Sequence, residues 1–452
     1  VFRSETSYRA YNTILHGISP VLLPYVVLRM LRVGRLRTGL SQRLGLFPED
    51  LVKRWKKKRW PWIHAVSVGE AMAVRSLLLE MRGSSLGDSY MISTVTSTGQ
   101  DVARGMVGPE DLCFYLPLDY PFMMNRIVSL ARPSFLAILE TEIWPNLVRS
   151  AYRQTCPVLL VNGRISDRSF GNYMRLRFFF RDVLSCFSAF GMQTQGDADR
   201  IKAMGAPSDR VTVTGNVKFD SSSKGAPTAE EIAAFRRELN LEEDRCVVVA
   251  GSIHPGEENV LAEALSSLNR VIPRVAMIVA PRHLDRAEEV AQAGRDAHLR
   301  VSRRSLGVHR ESQWIVLDTM GELFKAYGMA SVVFMGKSLF REHGGGQNPI
   351  EPAALGKAVL MGPFVSNFRD VAQQLKEGGG LLEVEAGGID FVRKAERLLQ
   401  DQEEADRMGQ RALQVVKRNL GAAKRTAALL RKTVEKDGSH QGVESGTDHE
   451  NP

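Results

Sequence analysis

From residue 61 onward the chain alternates short apolar runs with amphipathic stretches of helical length. The runs WIHAVSV, YMISTVT, FLAILE, PVLLVNG and AFGMQT read as buried strands, each followed by a helical or loop segment. Stretches such as EAMAVRSLLLEMR supply the crossovers. Buried strands alternating with helices predict a parallel sheet with helices on both faces.

The rhythm pauses at SSSKGAPTAEE, residues 221–231, where Gly, Ser and Pro cluster. There Thr228 stands three residues before Glu231 in capping-box spacing. It restarts with CVVVAGS, RVAMIVAP, QWIVLD, SVVFMG and AVLMGP as strands and closes on a long helical run, residues 391–436. A chain of 452 residues is too long for one core and suits two domains. The pattern predicts an α/β protein of two Rossmann-like units in tandem facing a cleft, with ligands at the carboxyl ends of the strands. The expected division is an amino-terminal membrane-associated helix over 1–35 and a first unit over 36–220. A second unit with the terminal helices follows over 221–436, then a polar, disordered tail over 437–452.

Charge adds a partner to this picture. The net charge of +9 is unevenly spread, with much of the excess before residue 60. That basic end suits an anionic membrane surface or a phosphorylated ligand better than nucleic acid. Residues 10–31, AYNTILHGISPVLLPYVVLRML, would extend about 33 Å as a helix, enough for the hydrocarbon core of a bilayer. Asn12, His16, Pro20, Pro24 and Arg29 weaken a spanning helix. Three readings stand: a membrane anchor, a helix lying in the interface, or a helix packed against the protein. Arg29, Arg32, Arg35, Arg37 and Arg43 on its carboxyl side outnumber Arg3 and Arg9, which by the positive-inside rule keeps the bulk of the chain cytoplasmic. KRWKKKRWPW, residues 53–62, mixes cations and tryptophans in a way that suits a membrane headgroup layer, or is a solvated helix end. Cys113, Cys156, Cys186 and Cys246 lie far apart without CxxC spacing, which argues for a reducing compartment and against structural zinc.

Candidate chemistry falls where strand ends meet helix starts. Glu70 follows HAVSVG, Glu140 and Glu142 follow FLAIL in ETEIWPNL, and Lys218 lies in TGNVKFD. The second half offers AGSIHPGEE, APRHLDR, DTMGEL and GGGQNPIEPA. Each has a plainer structural reading. Glu70 complements the positive end of a helix dipole with no catalysis involved. NPIE has the form of a helix start, with Asn348 as N-cap, Pro349 at N1 and Glu351 at N3, although a free helix amino terminus is also an anion site. His254 and His283 fit satisfied strand-end histidines better than metal ligands. The run 344–346 is weak as a phosphate cradle, since neither GxGxxG nor a Walker A pattern is present. Asp197 and Asp199 have the Asp-x-Asp form that holds a divalent cation in some sugar transferases, but here they open a helix, where capping suffices. No metal is expected. Acids thus gather at strand ends of the first half, while Arg282 and a helix amino terminus await an anion in the second. That division suggests an acceptor on one unit and a phosphorylated, nucleotide-like donor on the other, with a carboxylate positioned to take a hydroxyl proton.

HAVSVGE, ETEIWPNL, VNGRISDRSF, GNVKFD, AGSIHPGEE, APRH, DTMGEL and GGGQNPIEPAALGKAVLMGP, in that order, together resemble the Kdo transferases of lipopolysaccharide synthesis. The resemblance implies an inverting, metal-independent transferase of the GT-B fold. Such an enzyme moves 3-deoxy-D-manno-octulosonic acid (Kdo) from CMP-Kdo to a lipid A precursor, of the lipid IVA type, at the cytoplasmic face of the bacterial inner membrane. It further implies Glu70 as general base, with Glu140 and Lys218 stabilising the transition state. Pro281, Arg282, Met320, Gly321, Glu322, Asn348, Pro349, Ile350 and Glu351 would bind CMP. One departure is visible: Gln347 stands where many members have the His of GGHNPLE, so a role borrowed from that His has no match here. The competing readings are a soluble sugar-nucleotide epimerase or hydrolase of the same fold and a basic, membrane-peripheral binding protein.

Overall fold

The computed structural model describes residues 5–32, 39–222, 226–342 and 344–443. Arg3, Arg35 and Arg37, residues 223–225 of the expected linker and 444–452 of the expected tail lie outside the described residues, as do the side chains of Arg29 and Arg32.

Among the described residues the strands form two sheets of seven, paired in parallel throughout. In the first, β1 (Pro61–His64), β2 (Met91–Thr94), β3 (Leu112–Tyr115), β4 (Phe135–Leu139), β5 (Val158–Gly163), β6 (Ala189–Met192) and β7 (Val211–Val213) take the order β3-β2-β1-β4-β5-β6-β7. In the second, β8 (Val247–Ile253), β9 (Ala276–Pro281), β10 (Val301–Arg303), β11 (Trp314–Val316), β12 (Val332–Met335), β13 (Ala358–Met361) and β14 (Leu381–Glu383) take the order β10-β11-β9-β8-β12-β13-β14. The first winds outward in two directions from the central pair β1 and β4, and the second does so from β8 and β12 except that β10 lies outside β11. Each apolar run expected to be a strand is one. The four strands not anticipated, β3, β7, β10 and β14, are the sheet edges.

The chain divides into Val1–Ser221 with Leu420–Pro452, and Ser222–Asn419. The break falls in the expected linker, where Thr228 and Glu231 form the capping box. The terminal helix corrects the expected division: Ala422–Val443 belongs to the first unit, not the second, and continues through residues assigned to the tail. Its Ala422, Ala423, Ala427 and Leu430 join Ile63, Val74, Leu77 and Leu159 in one buried cluster. The Asp220 carboxylate fastens its start, accepting from the Gly421 and Ala423 amides at 2.6 Å each.

The helix Glu5–Arg32 is continuous through Pro20 and Pro24. Its first half packs on the first unit. Tyr8 is fully buried and donates to the Pro145 carbonyl at 2.8 Å, Tyr11 stacks on Phe179, and Ser19 bonds the Tyr120 hydroxyl. Among the described residues no helix is long and apolar enough to cross a membrane. The basic cluster needs a second correction. Trp55, Trp60 and Trp62 are buried in the core and do not face a headgroup layer, while Lys53, Lys56, Lys57, Lys58 and Arg59 are exposed.

Candidate active site

In the first unit the strand order reverses between β1 and β4, and ligands of such sheets sit at the carboxyl ends of the strands at that point. Glu70 and Glu140 both emerge there. Ser67 is the N-cap of the helix Val68–Met81, and its hydroxyl donates to Glu70 Oε1 at 2.8 Å, while the Val66 amide donates to Oε2 at 2.8 Å. The carboxylate therefore does hold the helix start, as the plain reading expected. It is also buried, and burial, followed by the neighbouring Glu140, pushes its pKa up to about 8 against two hydrogen bonds that lower it. Helix capping alone gives no reason for that second feature.

Glu140 directly follows β4 with φ +55, a left-handed conformation that residues bearing a Cβ rarely adopt. Its carboxylate lies 2.8 Å from Lys218 Nζ, with both side chains largely buried. Asn162, also left-handed at φ +54, accepts from the Val217 amide at 3.1 Å, and Asn216 Oδ1 accepts from the Lys218 amide at 3.1 Å. These two asparagines aim Lys218, and the sequence reading assigned neither a role. An Asn-Gly pair closing an apolar run was the available signal. Glu142 is half-buried, its pKa raised by burial and by Glu140. The first unit thus brings together Glu70, Glu140 and Lys218 as expected. Asp197 and Asp199 part company: Asp197 accepts from the Ile165 amide and the Thr194 hydroxyl, and Asp199 from Gln195.

In the second unit the order reverses between β8 and β12. Cations collect there. Burial depresses the His254 pKa, and Lys337, His283 and Arg282 depress it further; the two imidazoles stand 6.3 Å apart. Glu257 ties the two strand exits. Its buried carboxylate accepts backbone amides of His254 at 2.9 Å, Lys337 and Ser338 at 2.8 Å, and Leu339 at 3.1 Å. Close packing beneath requires glycine at 251, where a Cβ would meet the Tyr327 hydroxyl at 1.9 Å. Neither Lys337 nor Glu257 was singled out from the sequence.

Pro281 is buried at the end of β9 with Arg282 exposed beside it. Met320 and Gly321 form an exposed turn after β11, whereas Glu322 is paired with Arg304 at 3.0 Å and accepts from the Thr319 hydroxyl. The NPIE reading is off by one. Pro349, not Asn348, occupies the N-cap position of a single-turn helix, Ile350–Ala354. Asn348 Oδ1 instead accepts from the Ile350 amide at 3.1 Å and its Nδ2 donates to Glu351, whose pKa burial raises.

The family model of 3-deoxy-D-manno-octulosonic-acid transferase (kdotransferase) matches residues 38–221. A 3-deoxy-D-manno-octulosonic acid transferase of Bordetella pertussis is 32% identical over 331 residues, which cover 71% of this chain and 75% of that protein. This chain belongs to the 3-deoxy-D-manno-octulosonic acid transferase family. The relative from Haemophilus influenzae is 29% identical over 431 residues, 94% of this chain and 99% of its own. Among solved structures, UDP-GlcNAc 2-epimerase from Neisseria meningitidis bound to UDP-GlcNAc superposes with a TM-score of 0.51 at 12% identity, covering 84% of this chain and 100% of that one. That likeness is one of fold. The protein is a GT-B-type glycosyltransferase of lipopolysaccharide synthesis, a Kdo transferase.

Proposed function

We propose that this Kdo transferase takes Kdo from CMP-Kdo and passes it to a lipid A precursor of the lipid IVA type, with Glu70 as general base and no metal. The observation that carries the reading is a buried carboxyl with its pKa near 8, beside the Glu140–Lys218 pair at the switch point of the first sheet. A base is most effective with a pKa near the working pH. Glu70 accepts the proton of an acceptor hydroxyl. That oxygen bonds to the anomeric carbon of Kdo as the bond to the CMP phosphate oxygen breaks, with inversion. Glu140 supports the positive charge developing on the sugar ring, and Lys218 meets the sugar carboxylate or the departing phosphate. Arg282 and Lys337 supply positive charge for CMP, with the uncharged His254 imidazole beside them as a hydrogen-bonding group. The exposed run 56–59 and the amino-terminal helix face an anionic bilayer at its cytoplasmic side.

Incubation with CMP-Kdo and a tetra-acylated lipid A precursor, followed by mass spectrometry of the glycolipid, tests the reading. Kdo added to the lipid, with CMP release dependent on that lipid, supports it. CMP release without acceptor points to a hydrolase.

A further inference from the structure

One cavity that takes no part in the proton transfer lies close to it. A pocket of about 430 Å³ lies between the amino-terminal helix and the turn after Glu140, walled by Tyr11, Leu15, Leu118, Ile143, Trp144 and Tyr173. Its volume is in the range of small-molecule sites, ~300–1,000 Å³. Thr141 and Glu142, which directly follow Glu140 in the chain, also line it, and the charge of Glu142 acts on Glu70. Around it stand large apolar side chains that nothing covers. Ile14 and Ile18 on the same helix and Phe122, whose ring is 6.0 Å from that of the pocket-lining Tyr120, are all at least half exposed. Isolated exposed apolar residues need no explanation, but a group of them around an aromatic pocket marks a contact surface.

The lining decides what fits. The carboxyl groups of Asp119 and Glu142 disfavour an anion, and the two oxygens of Asp119 accept from the Asn146 and Leu147 amides. The remaining wall is mostly aromatic and aliphatic, with Thr141 and the tyrosine hydroxyls as its other polar groups. An uncharged, flexible hydrocarbon matches it, and one that arrives attached to the sugar presented to Glu70 matches its position. We infer that this pocket takes one acyl chain of the glycolipid acceptor and thereby makes acylation a determinant of turnover. The inference rests on the lipid-acceptor reading above.

The test compares kcat/KM for Kdo transfer to a tetra-acylated disaccharide bisphosphate and to its fully deacylated form. In the wild type the acylated acceptor is favoured by about tenfold or more, and Leu15→Trp or Ile143→Trp, which fill the pocket, cut that preference about fivefold, chiefly through the acceptor KM. A preference unchanged in both variants overturns the inference. Independently of any variant, a diazirine at the chain terminus of the acylated acceptor labels the wild-type enzyme on 11–15, 118–120 or 141–145. Labelling elsewhere overturns it, as does equal labelling by a diazirine phospholipid that excess acceptor fails to displace, which assigns the pocket to bulk membrane lipid. A wild type that serves only the deacylated acceptor removes the lipid-acceptor reading itself. Transfer to the acylated acceptor with an unaltered preference in the variants removes only the pocket.

Discussion

Lys218 Nζ lies 2.8 Å from Glu140 Oε1, and Glu140 is the neighbouring charge that most opposes ionisation of Glu70. Burial raises the Glu70 pKa first and the charge of Glu140 second, so the cation that offsets Glu140 limits the rise. The rate of Kdo transfer is therefore expected to climb with pH through about 8 as Glu70 loses its proton. Glu140→Gln should move that limb to lower pH, and Lys218→Met should move it higher, in addition to the loss of rate each causes. A pH–rate profile of kcat/KM for the three enzymes checks this. A limb that stays in place in both variants would detach Glu70 from the profile.

Removing the carboxyl has opposite consequences for chemistry and for stability. Glu70→Gln should abolish transfer, with about a hundredfold loss or more, while CMP-Kdo still binds, because the groups proposed to hold the donor lie in the other unit. The folded-state pKa is raised, from an ordinary 4.5 to about 8. The protonated form is thus the one the fold favours, and that contribution is complete below pH 4.5 and lost as pH rises through about 8. The variant does not titrate. Its stability relative to wild type should grow across this window, by on the order of 1–3 kcal/mol. Chemical denaturation at pH 5 and pH 9 measures the difference, and a constant offset would contradict the buried, charge-opposed setting of Glu70.

The central strands were legible because strands covered on both faces are continuous apolar runs, and FLAIL or VVVAG can hardly be anything else. The edges were not. β7 and β14 are three residues long and partly exposed, so RVTV and GLLEV carry too few buried positions to stand out. Helical periodicity marks an apolar face but not the sheet it covers, which is why residues 422–436 read as part of the second unit although they belong to the first. Position in sequence also misled at Trp55 and Trp60, which adjoin the exposed cations Lys56 and Arg59 while the two tryptophans are buried. Glu70, Glu140 and Lys218 stand out in the sequence through the motifs that hold them. Lys337 and Asn162 acquire meaning only from strand order, because β12 lies next to β8, and because Asn162 closes β5 far along the chain from the Val217 amide it holds.

The Asp197/Asp199 pair bears on metal dependence. Asp197 is committed to the Ile165 amide and the Thr194 hydroxyl, which leaves Asp199 to act alone. Transfer should proceed at the same rate in EDTA. A marked loss restored by magnesium would put a cation back into the mechanism.

Glu257 accepts four backbone amides from both sides of the second switch point. Glu257→Gln presents an amide nitrogen to donors that need an acceptor, leaving buried N–H groups unpaired. The cost should be about 2–4 kcal/mol in denaturant unfolding. Because the bond to the Lys337 amide also fixes where that lysine emerges, donor affinity should fall with stability. A variant as stable as wild type would show that the loop after β12 is held by other contacts.

Donor binding itself should be strongly charge-dependent. Arg282, His283 and Lys337 each lower the His254 pKa, which is the signature of positive charges converging on one place. A doubly charged phosphate ester or a sugar acid entering there neutralises them, and charge-assisted hydrogen bonds are about twice as strong as neutral ones. Lys337→Ala and Arg282→Ala should each weaken CMP binding by about tenfold or more at low salt, with a smaller difference from wild type at high salt. The same substitutions should let His254 take up a proton at higher pH, since two of the charges opposing its ionisation are removed one at a time. Calorimetric titration with CMP and the NMR titration of the His254 ring follow the two effects separately. If CMP affinity is indifferent to both substitutions while the His254 titration moves, the cationic cluster exists but does not hold the donor. The groups around Met320 and Asn348 would then have to hold it instead.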